Sequence, residues 1–276
     1  MRAILDHIVV DVRDRLDEAA EAFEQLGFTV NEPSENTFGM INRLCVLRNA
    51  YIELLGVGPR ASGERRDWSN NPAGGNGLVF RTADTEATAA EFERRGLEVG
   101  ARRTFSRPVM FDNVPAEARF DTVHFSLPDA APLRTYFCRH YTPELIWREP
   151  SMCHANGGFD LAQADLVARD PATVGGRLAR IFDGAGGAGA YWSIDADNAG
   201  IVVEDEAGFS AAFGALAAPD TRACAVRALT IRTSNFDVLA EYVRGSGLRA
   251  TYAPDRIVVH DDAHRLVFVF LAAEIS

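Results

Sequence analysis

Apolar and polar positions repeat one signature four times along the chain. A short apolar strand leads into an Asp or Ser turn, an amphipathic helix follows, and Gly closes it. The first copy runs Leu5–Asp14, a helix to Leu26, then Gly27; the second Gly77–Asp84, a helix to Arg95, then Gly96. The third runs Leu161–Asp170, a helix from Pro171 to Phe182, then Gly184; the fourth Ala228–Ser234, a helix to Ser246, then Gly247. In the first helix Leu16, Ala19, Ala20, Phe23 and Leu26 share one face, which the spacing predicts to be buried. Asp14, Asp84, Asp170 and Ser234 are the expected helix N-caps, because their side-chain oxygens can accept from otherwise orphan amides. Gly27, Gly96, Gly184 and Gly247 are the expected left-handed C-caps.

Strand-like runs follow each helix: Phe28–Val30, Met40–Leu47 and Tyr51–Val57 in the first copy, and Val99–Phe105, Arg119–Leu127 and Leu133–His140 in the second. Arg249–Tyr252, Ile257–His260 and Arg265–Leu271 follow the fourth helix. Ala190–Ile194 and Ile201–Glu204 are the plainest runs of the third copy. The predicted fold class is α+β: four tandem βαβββ modules, two modules closing each cupped, antiparallel-rich mixed sheet. Turn formers in His154–Gly158 place the division near Pro150–Gly158, so residues 1–150 form one expected domain and 151–276 the other.

Composition removes several chemistries. The 276 residues include 28 basic side chains, and all are Arg. Without Lys there is no Schiff base, no phosphate-loop lysine and no kinase-type lysine. The net charge of −11 and the scattered Arg doublets argue against a nucleic-acid partner. Cys45, Cys138, Cys153 and Cys224 show no CxxC spacing, and no apolar run reaches the roughly 18 residues of a membrane span. A cytoplasmic protein with reduced thiols and no membrane partner is expected.

Leu5-Asp6-His7-Ile8-Val9, Tyr51-Ile52-Glu53-Leu54-Leu55, the stretch Phe137–Arg148 and His154-Ala-Asn-Gly157 together resemble the vicinal oxygen chelate superfamily, and its glyoxalase-like group in particular. That superfamily includes glyoxalases, extradiol dioxygenases and resistance proteins that sequester drugs. The resemblance implies one divalent ion (Fe, Mn, Ni, Co or Zn) in the cup of a two-module sheet, held by residues of each module's first and fourth strands. His7 and Glu53 match the first-module ligands. Period-two alternation sets His7 on a face with Leu5 and Val9, and Glu53 with Tyr51 and Leu55. In the second module the His7 position falls on Gly77, which has no side chain to ligate. Tyr136, Cys138 and His140 share a face, so the candidates for the third ligand are His140, then Glu144, then His124. Gln163 and Arg227 occupy the matching positions of modules three and four, so residues 151–276 are expected to carry no metal.

This resemblance implies a lyase or isomerase acting on a small substrate with two neighbouring oxygens, a carboxylate (Glu53 or Glu144) moving a proton. An Fe(II) ring-cleaving dioxygenase using His7, His140 and Glu53 is one alternative, and a metal-free binding or resistance protein is another. Arg139, Arg148, Trp147, His124 and His154 are the candidate substrate contacts, the two Arg for a carboxylate. Modules of this family often pair between chains, which would make a homodimer. The Gly184–Gly189 run reads as a flexible helix-to-strand loop, His260 and His264 as exposed residues flanking a hairpin turn, and Pro59–Asn76 as a flap over the cup.

Overall fold

The computed structural model describes residues 1–61, 72–216 and 220–273. Module one consists of β1 (Leu5–Arg13), α1 (Leu16–Gln25), β2 (Ser34–Glu35), β3 (Met40–Val46) and β4 (Tyr51–Val57). Module two follows as β5 (Gly74–Arg81), α2 (Thr85–Arg94), β6 (Val99–Phe111), β7 (Val114–Phe125) and β8 (Arg134–His140). Module three is β9 (Gly158–Ala168), α3 (Pro171–Ile181), β10 (Ala185–Ala188), β11 (Tyr191–Ala196) and β12 (Ala199–Glu204). After an added helix α4 (Glu206–Phe213) comes module four: β13 (Cys224–Thr233), α5 (Phe236–Ser246), β14 (Arg249–Tyr252), β15 (Arg256–Asp261) and β16 (Leu266–Ala272).

Each first strand pairs parallel with the last strand of its own module, and the other pairings within a module are antiparallel. β1 joins β5 antiparallel, and β9 joins β13, so two modules share one curved sheet in each half. A single residue pair, Val226 with Gly75, carries the sheet from one half to the other. One side of the sheet packs the helices: Leu5, Ile8, Val10, Phe80 and Phe137 meet Phe23, Phe92, Leu178 and Leu239 in one continuous core. Burying a side chain such as Phe23 contributes about 2–3 kcal/mol. The concave sides hold two separate clusters. Val9, Tyr51, Leu55, Val79, Phe120 and Cys138 line the first cup, and Ala228, Val258, Val267 and Val269 line the second.

Helix α4 plugs the second cup. Phe209 is fully buried there, with Phe213 and Leu216 beside it. The first cup keeps polar groups inside. Its rim is closed where the β2 region meets β6: the Thr37 amide donates to the Ser106 carbonyl and the Ser34 hydroxyl to the Pro108 carbonyl.

Several local expectations change. Asp84 and Asp170 do cap their helices. Asp14 does not, because Arg13 turns left-handed at φ 58° and the helix starts one residue late, with Arg15 at the N-cap. Ser234 donates to the Gly157 carbonyl instead, leaving Asn235 at the N-cap. Gly27, Gly96 and Gly247 are left-handed as expected. After α3 the chain leaves directly in an extended conformation at Phe182, so Gly184 has no such role. Ala185–Ala188 is an edge strand on β11 rather than a loop. His260 and His264 are buried, not exposed, and Asp261 accepts from His264 Nδ1 at 2.6 Å. Most of the Pro59–Asn76 flap, residues 62–71, lies outside the described residues. Among the described residues no helix is long and apolar enough to cross a membrane.

Candidate metal centre

The site begins with a β-bulge. Along the β1–β5 ladder Leu5 faces Phe80 and His7 faces Val79, so Asp6 is an extra residue without a partner. The bulge breaks period two. Leu5 therefore joins the helix-side core, while His7 and Val9 face the cup. The same device recurs in every module: Asn76 is extra on β5, Ala162 on β9 and Arg227 on β13. Three of these four side chains are polar and buried.

Asp6 is fully buried and holds three donors. Its Oδ1 accepts from His7 Nδ1 at 2.7 Å and His140 Nε2 at 2.9 Å, and its Oδ2 accepts from Arg81 Nε at 2.8 Å. Burial alone would raise its pKa, but His140 and His7 hold the carboxyl well below the usual carboxylate range. An ionised carboxylate only accepts, so the Asp6 contact places a proton on His7 Nδ1 and turns Nε2 toward the cup. That Nε2 lies 3.6 Å from Glu53 Oε2 and 3.2 Å from the Tyr136 hydroxyl. Glu53 is steadied from the other side, where Asn42 Nδ2 donates to Oε1 at 2.5 Å. His7 also stacks on Tyr51, with centroids 4.3 Å apart. A carboxylate that orients a histidine through Nδ1 is the usual outer partner of a metal-bound imidazole.

His140, the first choice for third ligand, is elsewhere. Its Nε2 is turned to Asp6, its ring lies edge-on to Trp147 and Phe120, and its Nδ1 is buried without a partner among the described residues. Asp6, Cys138 and His140 have ligand atoms within 4.8 Å of one another and form a second possible donor set. Its members are committed, however: both Asp6 oxygens already accept, and burial pushes the Cys138 thiol up, away from the thiolate a metal needs. The same burial argues against Cys138 as a nucleophile.

Gly77 is not merely a missing ligand. A Cβ there would sit 2.6 Å from Val9 Cβ, so Val9 fills the space a second-module histidine would need. Across the two-module sheet, Glu53 on β4 corresponds to Tyr136 on β8: Glu53 pairs with Val9 of β1, and Tyr136 with Val79 of β5. The donors that converge are thus His7 Nε2, Glu53 Oε2 and Tyr136 Oη. An imidazole, a carboxylate and a phenol are a donor set that fits a first-row transition ion with open positions. Tyr136 was not foreseen as a site residue. The sequence signal was its place on the shared face with Cys138 and His140.

The remaining expected residues scatter. Glu144 is exposed on a short 3-10 turn. His124 stacks on Tyr136 at 4.7 Å. His154 ties backbone together, accepting from the Thr29 amide at 2.9 Å and donating to the Val46 carbonyl at 3.0 Å. Burial pushes its pKa down. Trp147 covers the cup, its indole donating to the Leu47 carbonyl at 3.1 Å while Arg81 lies 4.4 Å from its ring centre. Arg139 lies over the Tyr141 ring, and Arg148 donates to the Met110 carbonyl at 2.7 Å. Neither Arg139 nor Arg148 joins His7 and Glu53 in these contacts.

The model of the glyoxalase-like domain family matches residues 5–182. The chain belongs to this family, within the vicinal oxygen chelate superfamily. No curated protein matches it in sequence. A hypothetical protein from Staphylococcus aureus has a similar structure, with a TM-score of 0.66 at 12% identity, covering 98% of this chain and 99% of that one. A triple mutant of 4-hydroxymandelate synthase from Streptomyces coelicolor superposes with a TM-score of 0.56 at 10% identity, covering 98% and 92%. A xylose isomerase-like TIM barrel/4-hydroxyphenylpyruvate dioxygenase fusion protein gives 0.59 at 12% identity, covering all of this chain and 51% of that one. These structures share the fold. The reaction must be argued from the site.

Proposed function

We propose that this glyoxalase-like protein is a metal-dependent enzyme of lyase or isomerase type, acting on a small substrate with two neighbouring oxygens in the cup of residues 1–150. The observation that carries this reading is the Asp6–His7–Glu53 arrangement: a buried carboxylate fixes the imidazole tautomer so that its free nitrogen faces a second carboxylate. His7 and Glu53 would hold the ion, with the Tyr136 hydroxyl in place of the second-module ligand. A bound divalent cation supplies Lewis-acid polarisation of adjacent substrate oxygens.

The chain's own groups do the rest. Glu53, fixed at Oε1 by Asn42, is the carboxylate of the cup that takes a proton from the substrate and returns it. Burial pushes the Tyr136 pKa well up, which favours its hydroxyl as a donor to a developing oxyanion. Trp147 and the closed β2–β6 rim exclude water. Both modules of this cup belong to one chain, so the reading requires no second copy. Residues 151–276 form a second domain of the same module type that carries no metal.

The test is elemental analysis of protein purified without chelator, followed by reconstitution with Mn, Fe, Ni, Co or Zn. About one equivalent of a transition ion per chain is expected. Less than about a tenth of an equivalent after reconstitution would sink the enzyme reading and leave the binding protein, which the blocked Gly77 position favours.

A further inference from the structure

One buried cation in the first cup has no ion-pair or hydrogen-bond partner among the described residues. Arg107 sits on β6 opposite Ala118, on the same face as Phe105 and Val109, and all three neighbours belong to the first-cup cluster. It is 3% exposed. Among the described residues its guanidinium makes no hydrogen bond or ion pair, and its Nη1 is buried without a partner. Its Cζ lies 5.9 Å from the Phe120 ring centre, and Phe120 stacks on Phe105 at 5.0 Å; Glu53 acts on it through space without forming an ion pair. The buried Arg134, by contrast, is held bidentately by Asp11 at 2.7 and 3.1 Å, and Arg81 by Asp6. A guanidinium cannot shed its proton to escape burial, so an unpaired one is costly unless an anion arrives.

We propose that Arg107 anchors the carboxylate of a small monoanionic ligand bound in the first cup. This deepens the functional reading above by naming the class of substrate, a monocarboxylic acid with an apolar body, but the anchor itself does not need the metal. Three observations select that class. The guanidinium fork matches a carboxylate in two parallel hydrogen bonds. Phe105, Phe120 and Tyr51 offer flat apolar walls rather than further polar partners. Asp6 and Glu53 already put negative charge in the same cup, and the other two arginines are paired, so one free positive charge is available and a phosphate dianion is disfavoured. A second unsatisfied atom, Asn42 Oδ1, supplies an acceptor for a hydroxyl on the ligand body.

The experiment is calorimetric titration of the full-length protein with acetate, pyruvate, benzoate and phenylacetate, each against its uncharged amide and against inorganic phosphate, at constant ionic strength. At least one acid is expected to bind about tenfold or more tighter than its amide, and Arg107→Met is expected to remove that preference without weakening the amide. Arg107→Met should also raise Tm, because it removes a buried unpaired charge. Equal binding of acid and amide across the panel, no binding by any acid, tightest binding of phosphate, or an Arg107→Met protein that is destabilised each overturns the proposal. The metal reading fails separately. Metal content should be unchanged in Arg107→Met, and the acid preference should survive in His7→Ala, so a metal-free protein that still prefers the acid would refute only the metal.

Discussion

The two cups of this chain are built from the same module and filled in opposite ways. Each contains a buried aspartate. In the first, Asp6 is surrounded by His7, His140 and Arg81 and stays ionised. In the second, Asp165 accepts only from Gln163 Nε2 at 2.7 Å, its Oδ2 has no partner among the described residues, and burial raises its pKa to about 7. The first cup spends its interior on converging polar groups. The second closes on itself with α4 and Phe209. Identical topology thus separates into a half with a buried polar cluster and a half covered by an inserted helix, because the fold sets where strands run and not what they carry.

This contrast can be broken most severely at His7. His7→Ala should reduce bound metal from about one equivalent to under about a tenth, with little change in Tm; unchanged stoichiometry on elemental analysis would remove His7 from the site. The second cup answers to packing. Phe209→Ala should cost about 3–5 kcal/mol in denaturant unfolding while metal content stays the same; lost metal would show that the cups are not independent.

Asp165 sharpens the comparison through pH. Its folded pKa is raised, so its contribution to stability is intact below the unfolded value near 4 and is lost as pH rises through about 7. Asp165→Asn should therefore stabilise the protein at pH 8, by at most about 4 kcal/mol, and flatten its stability between pH 4 and 7. Urea melts across that range would refute the assignment if wild type and variant ran parallel. A smaller effect is expected from Asp6→Asn, which frees the His7 tautomer: metal affinity should fall about 10- to 100-fold in a competition titration. An unaltered affinity would show that Asp6 does not orient the ligand.

Much of the fold was legible as a fourfold repeat. The strand–helix–three-strand unit and the Asp84 and Asp170 caps follow from local pattern and turn chemistry, whereas the parallel return of each last strand was decided by the tertiary structure. Helix α4 was not legible. Its apolar residues Phe209 and Phe213 lie four apart in a short Gly- and Ala-rich segment, and only the empty cup of modules three and four gives them something to cover. His260 and His264 read as surface for the same reason, since a hairpin turn gives no sign of what folds over it.

At the site, the chain alone determined that His7 and Glu53 stand on first and fourth strands, that Gly77 withholds a second histidine, and that no lysine serves an anion. The tertiary structure decided the rest. The bulge at Asp6 puts two consecutive residues to work at one centre, which strict alternation forbids. His140 is turned toward Asp6 by a contact 134 positions away in sequence. Arg107, hidden in an ordinary alternating strand, is buried where the β2 region meets β6 and has no ion-pair partner among the described residues. Pairing and burial are properties of what surrounds a residue, and neighbours distant along the chain are chosen only by folding.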